Sequence, residues 1–300
     1  MRTFITSILM GILCMVPALT AQQAGPETQQ VPAELMKIER DKQSGLLLVT
    51  AIVADKPMRF LLDTGATHTI IHRASTVGIR NAFWLDTSRV QFTGNSAQRP
   101  QMMAAPFQIG PALVPRHVFM VIDLSSVRRM MGEPIDGILG MDILGLMPFT
   151  FDFKNEKFMW AYAQHAPVTP VYGKPTAEGR FMVHAQCEGK VLELLLDTGC
   201  AVTRVNQDKW PAGSAGQIAA TLGDINSTTC NMMHEGNPAD LTVAEGVTLP
   251  NIQPMLDDPG QHSALLGVDA LKESVLIHKP TRTSPFGQFF FLKQEAAEQN

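Results

Sequence analysis

The sequence predicts a mostly β protein built as two pseudo-symmetric, closed-barrel lobes in one chain, and three observations carry that expectation. Apolar runs alternate with Gly- and Pro-bearing turns along most of the 300 residues, and long stretches with a 3.6-residue apolar period are absent. An apolar run ending in Asp-Thr-Gly occurs twice, as Phe60-Leu61-Leu62-Asp63-Thr64-Gly65 and Leu194-Leu195-Leu196-Asp197-Thr198-Gly199. The copies share a register, offset by 134 (197 − 63), that runs upstream without a gap to Gly45 and Gly179. A supersecondary unit duplicated at a fixed offset marks an internally repeated fold.

Taken in order, the chain opens with Arg2, an apolar run over 4–16 and small residues up to Ala21, which together read as an export signal over 1–21. The apolar run is too short to span a membrane, so no stable insertion is expected once the signal is removed. Residues 22–44 begin polar and Gln-rich and are expected to be an arm. Lobe one is expected over 45–163. It starts with a hairpin over 45–62 that turns at Asp55-Lys56 and leads into the first Asp loop. A second hairpin climbs from Val90 to a polar tip at Gly94-Asn95-Ser96 and returns toward Met103. Strands over 107–122 are expected to break at Pro111 and Pro115. Ile138-Leu139-Gly140 leads into a short helix at Asp142, and a hairpin around Lys154-Asn155-Glu156 closes the lobe.

Residues 164–178 carry Pro167, Pro170, Gly173 and Pro175 and are read as the interlobe linker. Lobe two, over 179–294, repeats the plan. A turn at Gly189-Lys190 precedes the second Asp loop, a second tip falls near Leu222-Gly223-Asp224, and Leu265-Leu266-Gly267 stands before Asp269. The tail is 295–300.

Composition narrows the function. A net charge of −4 and a pI near 6.1 provide no basic face for nucleic acid. Seventeen methionines against 7% aromatics favour an adaptable apolar interior or groove. No His/Cys cluster has metal-ligand spacing, so neither metal nor other cofactor is expected. Beyond the signal the cysteines are Cys187, Cys200 and Cys230, an odd number that leaves at least one thiol free or paired between chains.

Asp63-Thr64-Gly65 with Ile138-Leu139-Gly140, and Asp197-Thr198-Gly199 with Leu265-Leu266-Gly267, resemble the aspartic proteases of the retropepsin and pepsin type. The resemblance is greatest to bacterial exported retropepsin-like proteins and covers roughly 45–161 and 179–292. It implies the acid protease fold and an aspartic endopeptidase in which Asp63 and Asp197, one from each lobe, share a proton and activate water. It implies that Thr64 and Thr198 hydrogen-bond across to the opposite loop and that Gly94-Asn95-Ser96 is the tip of a flap over an extended peptide. Gly65 and Gly199 are the residues that permit the sharp loops and their close approach. The expected partner is a peptide or protein substrate, and the expected species is a monomer whose lobes pair within the chain. Two other readings stay open: an inactive exported peptide-binding module of the same fold, and a protease in which lobe one pairs between two chains.

Some features depart from a plain repeat. Arg204 stands where lobe one has Ile70, an odd charge just past the loop. Ala66 and Cys200 follow the two Asp-Thr-Gly motifs, where pepsin-like loops carry a hydroxyl that lowers the pair's pKa; a less acidic working range is expected. Asp142 and Asp269 are a matched pair, expected to cap or occupy the first turn of their helices rather than act as catalysts. His68 and His72 have no Ser or Cys signature beside them, and Cys200 is read as a buried thiol.

Overall fold

The computed structural model describes residues 35–85, 100–160, 167–223, 228–258, 264–280 and 287–292. The expected export signal, the Gly94-Asn95-Ser96 tip and the tail lie outside the described residues. The protein is mostly β, with two lobes flanking a shared sheet.

In lobe one, Leu47–Val53 and Lys56–Leu62 form the expected hairpin. Its turn is Ala54-Asp55, one residue earlier than expected, because Val53 opposes Lys56. The lobe-two turn shifts the same way, to Glu188-Gly189, with φ of 46° and 77°. Positive φ at both turn residues gives the twist that a two-residue hairpin needs. From Lys56–Leu62 the ladder passes to Gly137–Leu139, Ile70–His72, Ala112–Ile122 and Gln101–Ile109, and the last of these pairs back onto Leu47–Val53. Six strands thus close into a barrel. Its interior holds Phe107 edge-on to Phe60 and Phe119, with centroids 5.8 and 5.7 Å away.

Pro115 does not break its strand. It lies inside Ala112–Ile122, where the ladder is irregular: Ala105 opposes His117, yet Phe107 opposes Val114. A bulge there removes the need for the N–H that proline lacks.

Lobe two repeats the circuit through Phe181–Cys187, Lys190–Leu196, Leu265–Leu266, Arg204–Asn206, Met255–Asp257 and Thr228–Gly236. Here the two long strands of lobe one are each split. Asn237-Pro238 separates Thr228–Gly236 from Ala239–Ala244, and Gln253-Pro254 separates Val247–Ile252 from Met255–Asp257. Ser214–Gly223 and Thr228–Gly236 form a hairpin at the second expected tip, with Gly223 opposite Thr228 at its described end.

A six-stranded sheet joins the lobes in the order Leu35–Lys37, Lys157–Met159, Phe149–Asp152, Val275–Lys279, Gln288–Leu292 and Val168–Pro170. Two expectations are corrected by the strand pairings. Part of the arm is built into the fold, since Leu35–Lys37 pairs with Lys157–Met159 and Glu39–Arg40 joins lobe one. The linker likewise contains Val168–Pro170 and Gly173–Pro175, each paired to one neighbouring strand only. Edge positions tolerate proline where central ones do not. Phe149, Phe151, Phe153, Phe158, Trp160 and Phe289 are buried around this sheet. At about 1.5–3 kcal/mol for each large apolar side chain, that cluster is a strong bond between the lobes.

Candidate active site

Each Asp loop is hung from the apolar-apolar-Gly strand of its own lobe. Leu62 lies parallel to Leu139 and Leu196 to Leu266. The Asp63 N–H donates to Leu139 O at 3.0 Å and the Asp197 N–H to Leu266 O at 3.1 Å. The glycine ending each strand lets the loop lie directly on it. A Cβ on Gly140 would stand 2.7 Å from His68 backbone, and one on Gly267 would stand 2.7 Å from Val202 backbone.

The two loops then grip each other. Thr64 Oγ1 donates to Leu196 O at 2.9 Å and accepts from the Thr198 N–H at 3.1 Å. Thr198 Oγ1 donates to Leu62 O at 2.8 Å and accepts from the Thr64 N–H at 3.0 Å. All four bonds are buried, so none is exchanged cheaply for water. Gly65 and Gly199 bring each loop against the opposite carboxyl. A Cβ on Gly65 would lie 2.6 Å from Asp197 Cγ, and one on Gly199 would lie 2.4 Å from Asp63 Cγ. The structure therefore brings together Asp63, Asp197, Thr64, Thr198, Gly65 and Gly199.

The two carboxyls do not have the same surroundings. Burial raises the pKa of Asp63, against the pull of its hydrogen bond with Asp197 and of the Ala66 and Gly65 N–H groups, at 2.9 and 2.8 Å. Asp197 is held well above the ordinary carboxylate range by burial, then by the charge of Asp63 and the hydrogen bond between them. Only one N–H of its loop, that of Gly199 at 2.9 Å, reaches its side chain, with some help from the charge of Arg180. Two donors against one favour the anion on Asp63 and the proton on Asp197. Cys200 supplies no donor to Asp197, because its Sγ donates to Val202 O at 3.1 Å. Burial and the Asp197 charge push that thiol up to about 12, where it is inert.

Behind each loop lies a second matched contact that the sequence did not reveal. Asp142 and Asp269 do sit in the first turns of Met141–Leu144 and Val268–Leu271. Both carboxylates reach back to the Asp loops, and that of Asp269 also receives N–H groups of its own first turn. Asp142 accepts from Thr69 N–H at 2.9 Å and Thr69 Oγ1 at 2.7 Å, and Asp269 accepts from Thr203 N–H and Oγ1, both at 2.8 Å. Thr69 and Thr203 each accept in turn from Gly140 and Gly267 N–H at 3.1 Å. The signal was the shared offset of 134 (203 − 69) between the two threonines.

Other flagged residues have structural roles. Arg204 forms an ion pair with Asp257, its Nη2 reaching both carboxylate oxygens at 2.8 and 2.9 Å. His72 Nδ1 accepts from the Leu124 N–H at 3.0 Å, and Cys187 and Cys200 are both free thiols.

Residues 49–143, most of lobe one, match the Aspartyl protease family. No curated protein matches the sequence significantly. Among solved structures, the fold is similar to that of basic 7S globulin from soybean, with a TM-score of 0.52 and 11% identity. That likeness covers 88% of this chain and 95% of the globulin. Conglutin gamma, a basic 7S globulin from lupine seeds, is similar over the same shares of the two chains, with the same score and identity. At 11% identity the likeness carries the pepsin-like fold and nothing about activity.

Proposed function

We propose that this chain, whose residues 49–143 match the aspartyl protease family and whose fold is pepsin-like, is an exported aspartic endopeptidase acting on extended peptides. The observation that carries the reading is the reciprocal grip of Thr64 and Thr198, which sets two half-buried, hydrogen-bonded carboxyls face to face. Structural ion-pair networks have no need of two raised carboxyls against one another. Such a pair suits a reaction that must take one proton and give another.

In this reading Asp63, with two backbone donors, is the ionised base, and Asp197 is the acid. Asp63 takes a proton from a water between the carboxyls as the water oxygen bonds to the scissile carbonyl carbon. Asp197 gives its proton to the carbonyl oxygen, so the tetrahedral intermediate forms uncharged. The proton held by Asp63 then passes to the amide nitrogen as the C–N bond breaks, and Asp197 recovers its proton from a hydroxyl. The threonine grip keeps the carboxyl spacing fixed through both steps.

The grip uses threonines of a single chain, which supports intramolecular pairing over a lobe-one homodimer. Export rests on the charge and apolar run of the first 21 residues. No helix among the described residues is long and apolar enough to cross a membrane. The test is digestion of a peptide library by the purified chain beside Asp63→Asn and Asp197→Asn. Cleavage that both substitutions abolish is expected, and peptide binding without cleavage in the wild type would leave a binding module instead.

A further inference from the structure

The faces that flank the two carboxyls can be followed strand by strand. Leu61 stands two residues before Asp63 and therefore on its side of the sheet. From Leu61 the cross-strand partners run to Ile138, Ile70, Met120 and Met102. In lobe two the same walk starts at Leu195, two residues before Asp197, and runs to Leu265, Arg204, Met255 and Glu235. The pairings correspond step for step, parallel with parallel and antiparallel with antiparallel. Cross-strand partners share a face, so each row lies on the carboxyl side of its lobe.

The lobe-one row is entirely apolar. The lobe-two row replaces Ile70 by Arg204 and Met102 by Glu235. Burying a guanidinium there requires a counter-charge, and Asp257 supplies it from the position that Ile122 holds in lobe one. The pair is well enclosed, with side chains 15% and 5% exposed. It nevertheless leaves the arginine under-used. Only Nη2 reaches Asp257, and Nε is shielded from solvent with no hydrogen-bond partner. If Arg204 served packing alone, an apolar residue like Ile70 would do as well at lower cost.

We propose that Arg204 and Glu235 make the lobe-two half of the substrate groove a carboxamide-selecting subsite, opposite an apolar subsite in lobe one. A carboxamide fits both ends of the row. Its oxygen accepts from the arginine, and its NH2 donates to the glutamate two strands away. A carboxylate would meet Glu235 as a like charge, and an ammonium would meet Arg204. A site built on hydrogen bonds rejects side chains that leave its donors unpaired.

This specificity rests on the proposed groove, and its test reads binding rather than turnover. Peptides with a non-cleavable hydroxyethylene core would carry Gln, Leu, Glu or Lys on one flank and Leu on the other, with a second set reversed. Titration calorimetry of the wild type should show Gln preferred over Leu by about tenfold or more on one flank only. The double variant Arg204→Ile with Asp257→Ile reproduces the lobe-one pair and should invert that order. Arg204→Lys keeps an ion pair with Asp257 but removes the planar donors. It should lose the preference with its melting temperature unchanged, which serves the test even if the double variant fails to fold. An apolar preference on both flanks of the wild type, or a Gln preference that survives these substitutions, overturns the proposal. Selective binding by a protein that cleaves no peptide of the library would retire the endopeptidase reading and leave the subsite standing. Cleavage without selectivity would do the reverse, and no binding by any of these peptides overturns both.

Discussion

The two lobes agree in the contacts that fix their Asp loops and differ in the strands around them. Thr64 and Thr198 make mirror-image bonds, and Thr69 with Asp142 matches Thr203 with Asp269. Around that common frame, lobe one is a barrel of unbroken strands with His117 beside Asp142, Nε2 to Oδ2 at 3.3 Å. Lobe two has its strands split by Pro238 and Pro254 and carries a buried Arg204–Asp257 pair. The internal repeat is thus kept symmetric by the contacts that fix the two Asp loops, across the axis and within each lobe. Beyond those contacts each copy is free to take up its own work.

Predictions that break or sharpen this comparison begin with the carboxyls. Asp63→Asn and Asp197→Asn should each lower kcat by about 10⁴-fold or more if both protons are needed, measured on any peptide the wild type cleaves. Equal loss from the two substitutions marks equal partnership, and near-full activity in Asp197→Asn would make lobe two an appendage. The same variants test stability. Both carboxyls have raised folded-state pKa values, so the folded protein retains protons that the unfolded chain releases. The pair's contribution is therefore most favourable below about pH 4 and is lost as pH climbs through the raised values. Asp197→Asn should melt higher than wild type at neutral pH, and the two should converge in acid.

Next comes the ion pair. Arg204→Leu leaves Asp257 buried without its partner and should cost about 3–5 kcal/mol in urea unfolding. Ile70→Val, the corresponding lobe-one change, should cost only about 0.5–1.5 kcal/mol. A similar loss at the two positions would remove the asymmetry between the lobes. Thr64→Val and Thr198→Val each leave a buried N–H and a buried carbonyl without their hydroxyl. Each should cost about 2–4 kcal/mol, with matching losses because the grip is reciprocal.

The smallest effect concerns pH. Ala66→Ser puts a hydroxyl beside the carboxyl that already receives two N–H bonds, and Cys200→Ser does so beside the one that receives a single bond. A donor that favours the anion lowers the first ionisation, so the acidic limb of kcat/KM should move down by about one unit or less. A limb indifferent to both hydroxyls would show that the carboxyls titrate without regard to their loops.

Much of this was legible in the residue string. Two Asp-Thr-Gly loops in one register, each with an apolar-apolar-Gly partner, give the lobes, the barrel strands and the facing carboxyls. The reach of that reading ends where contacts join residues far apart without a repeated motif. Asp257 lies 53 residues from Arg204, and nothing local marks it as the counter-charge. The helix-start aspartates read as caps because capping is the local use of such a residue, and their bonds to loops 73 and 66 residues away are tertiary facts. Prolines misled in two places for one reason. They exclude a central ladder position, but bulges and edges accept them, and only the pairing map tells these apart.

The six-stranded sheet has a consequence for how the protein behaves on dilution. Strands from the start, middle and end of the chain are interleaved in it, with Leu35–Lys37 at one margin and Val168–Pro170 at the other. The two carboxyls therefore meet by a first-order event within one molecule, at an effective concentration set by covalent connection. Under the proposed function, cleavage per molecule should stay level on dilution, and a rate that falls with the square of protein concentration would point to pairing between chains instead.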